Sequence, residues 1–262
     1  MTHRSSWRGA SIVPLLALAI LFLAPEAQAR DDSALCEGSA IVTGTREETR
    51  AEGLARAFRD VLVKRSGDPA LLHDPRADPL AANAAGLVDD YIYLDRMTDE
   101  PKHDEQGTYD RPYTLIVRFA PAKIDAALTQ LGVAPWLDER PKLLVRVMIT
   151  DRKGGHFPLT ASGDNDERFR QALLAASLRY GMHIVLPPPA SFDQAASAAG
   201  VLDVSGTLRW SDSDPGWTGS WHLIGEPGGD VRTWTIKGVS FDDAFRNLVW
   251  GAMAVASGHT PP

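Results

Sequence analysis

Cysteine is almost absent from this sequence: Cys36 is the only one in 262 residues. That excludes an intramolecular disulfide framework and any multi-cysteine zinc site. Surplus positive charge is missing too. With 27 Lys and Arg against 34 Asp and Glu, the net charge is −7. A nucleic-acid binder needs excess cations to displace phosphate counterions, so that class is set aside. Neither Gly-x-Gly-x-x-Gly nor Gly-Lys-Ser/Thr occurs, and there is no Gly-x-Ser-x-Gly elbow. Beyond the amino terminus there is no apolar run of membrane-spanning length; even 143–149 carries Arg146.

What is present is an ordinary globular composition, 44% hydrophobic and 23% charged. Residues 1–29 have the layout of a secretory signal peptide. Arg4 and Arg8 precede the apolar run 12–23, and Ala27-Gln28-Ala29 supplies a small-x-small cleavage site. At 1.5 Å per residue that run covers about 18 Å, short of a bilayer core of roughly 30 Å. The expectation is cleavage after Ala29 and a soluble periplasmic protein. Leu35 precedes Cys36, which lies thirteen positions after Leu23, so the lipoprotein pattern is not met. Without residues 1–29 the chain carries 25 basic and 33 acidic groups; residues 30–140 hold 14 and 21 of these, residues 141–262 hold 11 and 12. This asymmetry suggests an acidic domain at 30–133, a linker at 134–141 with two prolines, a second domain at 142–258, and a tail at 259–262.

Residues 39–44 read as a strand. A Thr45-x-x-Glu48 capping box then opens a helix carrying Leu54, Phe58, Val61 and Leu62, stopped by Gly67. An Ala-rich helix is expected over 79–89, and strands over 91–97 and 113–120 around a polar hairpin tip. Pro121 opens a helix to Leu131. The first unit is therefore β-α-α-β-β-α. The run 142–150 reads as an interior strand. A helix from about Asp164, N-capped there, ends at Gly181. A short strand at 182–186, a weak helix at 191–199 and a three-strand meander over 201–238 follow. A helix from Ser240 bears a wide apolar stripe. The second unit is β-α-β-α-β-β-β-α, a mixed-sheet sandwich, and the fold class is α/β (α+β).

Four blocks suggest a relationship. They are 57–69 (AFRDVLVKRSGDP), Trp136 with Arg140-Pro141, Arg179-Tyr180-Gly181, and Gly216-Trp217-x-x-x-Trp221-x-Leu223 followed by Trp234 and Gly238. In order, they resemble an exported proteobacterial family, domain of unknown function number two thousand and sixty-six. The second unit is similar in topology to the amino-terminal domain of the periplasmic protein TolB. The resemblance implies export and a fold, and carries no activity or site residues.

Candidate chemistry is sparse. His73, His103, His156, His183, His222 and His259 include no i, i+3 or i, i+4 pair, so no helical metal face exists. Neither acidic segment, 164–167 or Asp212-x-Asp214, follows a calcium loop. No metal, cofactor or catalytic residue is expected. The loop after the interior strand, with Arg152, Lys153, Gly154, Gly155 and His156, is the candidate anion site, since backbone amides could approach a ligand there. Trp217 and Trp221 share a strand face with Gly219: either a core layer, or an exposed platform for a glycan or protein partner. The composition thus points to an exported binding or adaptor protein of the cell envelope. The alternative is an envelope hydrolase using dispersed Asp, Glu and His residues beside Gly154 and Gly155.

Overall fold

The computed structural model describes residues 32–98, 103–104, 107–108, 110–193, 200–224 and 230–262. The expected signal peptide, part of the hairpin tip and the body of the 191–199 helix lie outside these residues.

A one-turn helix α1 (Asp32–Leu35) leads into strand β1 (Glu37–Thr43). Period-two alternation buries Ala40 and Val42 beneath helix α2 (Glu47–Ser66). The Thr45 capping box does not form: the N-cap is Arg46, which makes no side-chain cap bond, and Glu47 and Glu48 favour the positive helix terminus instead. Gly67 ends α2 at φ +71, where an added Cβ would lie 2.5 Å from Ser257 Cβ, so both conformation and space demand glycine. The helix expected over 79–89 is shorter and broken. Two 3-10 turns precede helix α3 (Asp78–Ala82), a third covers Ala84–Leu87, and strand β2 (Val88–Asp95) starts where the helix had been expected to end. Asn83 and Gly86 interrupt the helical ladder there, as weak helix formers do.

The hairpin carries β3 (His103–Asp104) and β4 (Gly107–Thr108); β5 (Pro112–Phe119) and helix α4 (Pro121–Gln130) complete this half. The sheet is antiparallel, ordered β1-β5-β2.

The second sheet is mixed. Its centre is β6 (Lys142–Thr150), which pairs antiparallel with β7 (His156–Pro158) and in parallel with both β8 (His183–Val185) and β9 (Val201–Ser211). The meander continues through β10 (Gly216–Ile224) to β11 (Val231–Val239). Helices α5 (Glu167–Tyr180) and α6 (Phe241–Ala256) pack on one face. The helix expected from Asp164 is N-capped at Asp166. Asp166 is buried, accepting from Thr160 N at 2.7 Å and from Arg170 at 2.7 Å. The fold is mixed α+β, as the pattern of strands and helices suggested.

One hydrophobic cluster runs through both halves, from Phe58 and Leu115 to Leu248 and Trp234, and residues 31–262 form one compact unit. The segment 134–141 is held along its length rather than free. Trp136 N–H donates to Arg65 O at 2.9 Å, and the Arg140 guanidinium lies 4.2 Å from the Trp136 ring. Among the described residues no helix is long and apolar enough to cross a membrane.

Candidate functional site

The last turns of α2 are where the halves meet, and their polar residues have structural duties. Arg65 makes a two-pronged bond to Asp125, at 2.9 and 3.0 Å. Arg140 donates to Lys64 O and to Tyr180 O, joining α2 to the end of α5. Burial, with Arg65 nearby, lowers the Arg140 guanidinium to about 10. Lys64 Nζ donates to Glu37 O at 2.7 Å and to Ala34 O at 3.3 Å, tying down the start of the described chain. Burial lowers its ammonium to about 8, against the pull of Glu37. Asp60, only 8% exposed, accepts from Arg179 of α5 at 2.7 Å. Burial pushes the Asp60 carboxyl above the usual range, and Arg179, Lys64 and Arg246 offset this only in part.

Beside this last pair the junction opens into a cleft of about 490 Å³. Helix α2 contributes Arg56, Arg59 and Asp60. The 3-10 segment supplies Leu72, His73 and Pro75; Asp78 comes from α3, and Arg179 from α5. Arg59 is fixed by Asp78 and by Leu72 O and Asp74 O, each at 3.4 Å. Arg56, exposed, donates to Ile41 O at 2.8 Å. The wall thus holds three guanidiniums against two carboxylates, a locally positive surface on an acidic protein. A guanidinium presents five N–H donors in a planar fork, more than these contacts use, so the wall is suited to an anion.

The loop singled out in the sequence is organised differently. The Asp151 carboxylate accepts from Lys153 N and Gly155 N, each at 2.8 Å, and Gly154 N bonds Asp151 O. The amides proposed for a ligand are already taken by a neighbouring acid. His156 Nδ1 lies 3.1 Å from Thr150 Oγ1 across the β6–β7 hairpin. Arg152 reaches back over the Trp210 ring at 5.1 Å.

The tryptophan face is core. Trp221 is completely buried and donates to Asn247 Oδ1 at 3.0 Å, while Trp234 donates to Asn247 O at 3.1 Å. Trp217 stacks edge-on against Phe169, centroids 5.3 Å apart. Trp217 and Trp221 therefore offer no platform to a glycan or partner. Of the two readings, core layer and exposed platform, the first holds, and Gly219 makes room for a buried ring: a Cβ there would come within 2.2 Å of the Trp221 indole.

Among the described residues no group of three His, Cys, Asp or Glu could hold a metal ion. Among the described residues, Ser257, His259 and Asp68 form a nucleophile-like set. Ser257 Oγ lies 3.0 Å from His259 Nδ1, and His259 Nε2 lies 3.9 Å from Asp68.

The first half matches a family model. Residues 29–137 are similar to a domain of unknown function (DUF8605). No curated protein and no solved structure matches the chain. This corrects the resemblance read from the sequence: the matched family is a different one, and nothing supports family two thousand and sixty-six or likeness to TolB. The blocks that suggested it answer to packing. Gly67 and Gly181 are left-handed helix ends, Arg140 stacks on Trp136, and Gly219 accommodates Trp221. Such requirements recur in unrelated folds. The DUF8605-like segment supplies seven of the eight residues that line the cleft; Arg179 is the exception.

The cleft itself was not anticipated: Arg59, Asp60 and Arg179 entered only within the family-like blocks, and His73 only as an unpaired histidine. The available signal was Arg56, Arg59 and Asp60 at i, i+3 and i+4, neighbours on one side of helix α2. Asp60 and Arg179 are 119 residues apart, and no local pattern pairs them.

Proposed function

We propose that this is an exported binding or adaptor protein of the cell envelope that does no chemistry, and that the arginine-walled cleft is where it takes an anionic group of its ligand or partner. The observation that carries this reading is the cleft's lining. Three arginines face a volume in the range of small-molecule sites, and no serine, cysteine or lysine stands there beside a base. Export rests on the composition of residues 1–29.

The hydrolase reading has one observation in its favour, the Asp68, His259 and Ser257 set. Its geometry works against nucleophilic catalysis. Ser257 Oγ also faces the carbonyl oxygens of Gly67, Met253 and Ala254 at 2.8, 2.9 and 3.1 Å. An alkoxide forming among three carbonyl dipoles would be destabilised, the opposite of what an activated serine needs. The hydroxyl serves as a clamp between the end of α6 and Gly67.

The test is a thermal-shift panel of small carboxylates, sulfates and phosphates at constant ionic strength, on wild type and Arg56→Glu. At least one anion is expected to raise the wild-type Tm and to lose that effect in the variant. A panel with no response beyond that of chloride refutes the cleft as a ligand site. A fluorophosphonate probe is expected to leave Ser257 unlabelled; labelling that disappears in Ser257→Ala would restore the hydrolase.

A further inference from the structure

Granting the proposed function, the same cleft identifies the chemical class of its ligand. We infer that it binds an organic phosphate monoester, with the phosphate among Arg56, Arg59, Arg179 and His73 and the organic part against Leu72 and Pro75.

The first argument is charge. Asp78 bonds Arg59 and Asp60 bonds Arg179, so each carboxylate offsets one guanidinium. Arg56 has no carboxylate contact among the described residues and makes its hydrogen bond to a neutral carbonyl, Ile41 O. The uncompensated charge is thus one, and His73, exposed on the rim, adds a ring N–H donor. A phosphate monoester approaches two negative charges near neutral pH, whereas carboxylates and sulfate monoesters carry one. The phosphate therefore gains more from the uncompensated Arg56 than a singly charged anion does.

The second argument is donor geometry. Arg56 and Arg59 stand three residues apart on α2, Arg179 reaches in from α5, and His73 comes from the 3-10 segment. Donors from three separate elements suit a tetrahedral group with three terminal oxygens better than a planar carboxylate, which one guanidinium fork already saturates.

The third argument is size. A cleft of about 490 Å³ is far larger than an inorganic phosphate requires. The Leu72 side chain and the Pro75 ring give the remainder an apolar wall. A phosphate on an organic body fills both parts. That body could be a soluble metabolite or a lipid, because His73, Pro75 and Asp78 are exposed and the mouth is open.

The experiment is isothermal titration of the full-length protein without residues 1–29. The probes are phenyl phosphate, phenyl sulfate, benzoate and inorganic phosphate, which separate charge, shape and body. Phenyl phosphate is expected to bind at least tenfold more tightly than the other three. Arg56→Gln and His73→Gln, both exposed positions, should each weaken it about tenfold while leaving Tm within a degree or two of wild type. Phosphatidylcholine vesicles with and without phosphatidic acid identify the source. Recruitment that depends on phosphatidic acid and is displaced by phenyl phosphate supports a lipid headgroup; phenyl phosphate binding without recruitment supports a soluble ester. Equal binding of benzoate or phenyl sulfate overturns the phosphate assignment while leaving an anion-binding cleft in place. Silence from every probe, after a positive thermal-shift panel, overturns the phosphate assignment alone; silence in both overturns the binding reading as well.

Discussion

Replacing Lys64 with methionine is expected to remove a pH dependence of stability that the wild type shows between pH 7 and 9.5. Lys64 is 6% exposed, and burial lowers its ammonium to about 8 from 10.5 in the unfolded chain. A cation whose folded pKa is depressed binds its proton more weakly in the native state. Its burial therefore costs most below the folded value, and the cost is relieved as pH rises from about 8 towards 10.5. With those two values, linkage gives a wild-type gain of about 2 kcal/mol between pH 7 and pH 9.5. Methionine keeps the length and apolar stem but does not titrate, and it leaves Glu37 O and Ala34 O without their donor. Losing those two bonds costs about 1–3 kcal/mol. That cost does not vary with pH, so it shifts the variant's curve without changing its slope. The assay is urea unfolding followed by circular dichroism at half-unit pH steps, plotted as the difference between wild type and variant. Other titrating groups cancel in that difference. A flat difference from pH 7 to 9.5 would refute the claim that Lys64 is buried as a cation at neutral pH.

Gly219→Ala should destabilise by about 3 kcal/mol in equilibrium unfolding, because its Cβ would lie 2.2 Å from the fully buried Trp221 ring, with no open space for the ring to enter; a loss under about 1 kcal/mol would mean that the indole layer can repack. Gly67→Ala combines a left-handed backbone with a 2.5 Å approach to Ser257 Cβ and should cost about 2–4 kcal/mol, whereas Gly86→Ala, with nothing within 4 Å, serves as the control and should change stability by less than about 1 kcal/mol.

Much of the second sheet was legible because each strand carries its own signal. The run 142–150 was read with the bounds it has, and the meander read over 201–238 spans β9, β10 and β11 to within one residue at its end. These strands pair over their whole length and bury an alternating or continuous apolar face, so composition and position agree. The α4 start was equally plain, since Pro121 sits at a position where its missing N–H costs nothing. What was missed depends on partners remote in sequence. Strand β7 is three residues long and exists because Asp151 gathers the turn before it. Asp164 looked like the better cap for α5, but Asp166 holds that position while its carboxylate is drawn inward to Thr160 and Arg170. In the loop 152–156 the glycines suggested room for a ligand, and the acid at 151 occupies it.

The block 57–69 shows how the end of a helix can hold distinctive polar residues for structural reasons. Within one turn, Lys64 O bonds Arg140, Arg65 O bonds Trp136 N, and Gly67 O bonds Ser257, so the carbonyls left over at the end of α2 become the attachment points for the second half. Those bonds fix the positions of α2 and α5 independently of Asp60 and Arg179. The Asp60–Arg179 pair, at the open edge of the same junction, adds a further bond from α2 to α5. Taking the partner from a buried carboxylate is costly, so Arg179 keeps its bond to Asp60 when the cleft is filled. Under the proposed function, Arg179 offers a ligand only the donors that Asp60 leaves over, and Arg56, whose one bond is to a neutral carbonyl, carries the larger share of the attraction at this edge.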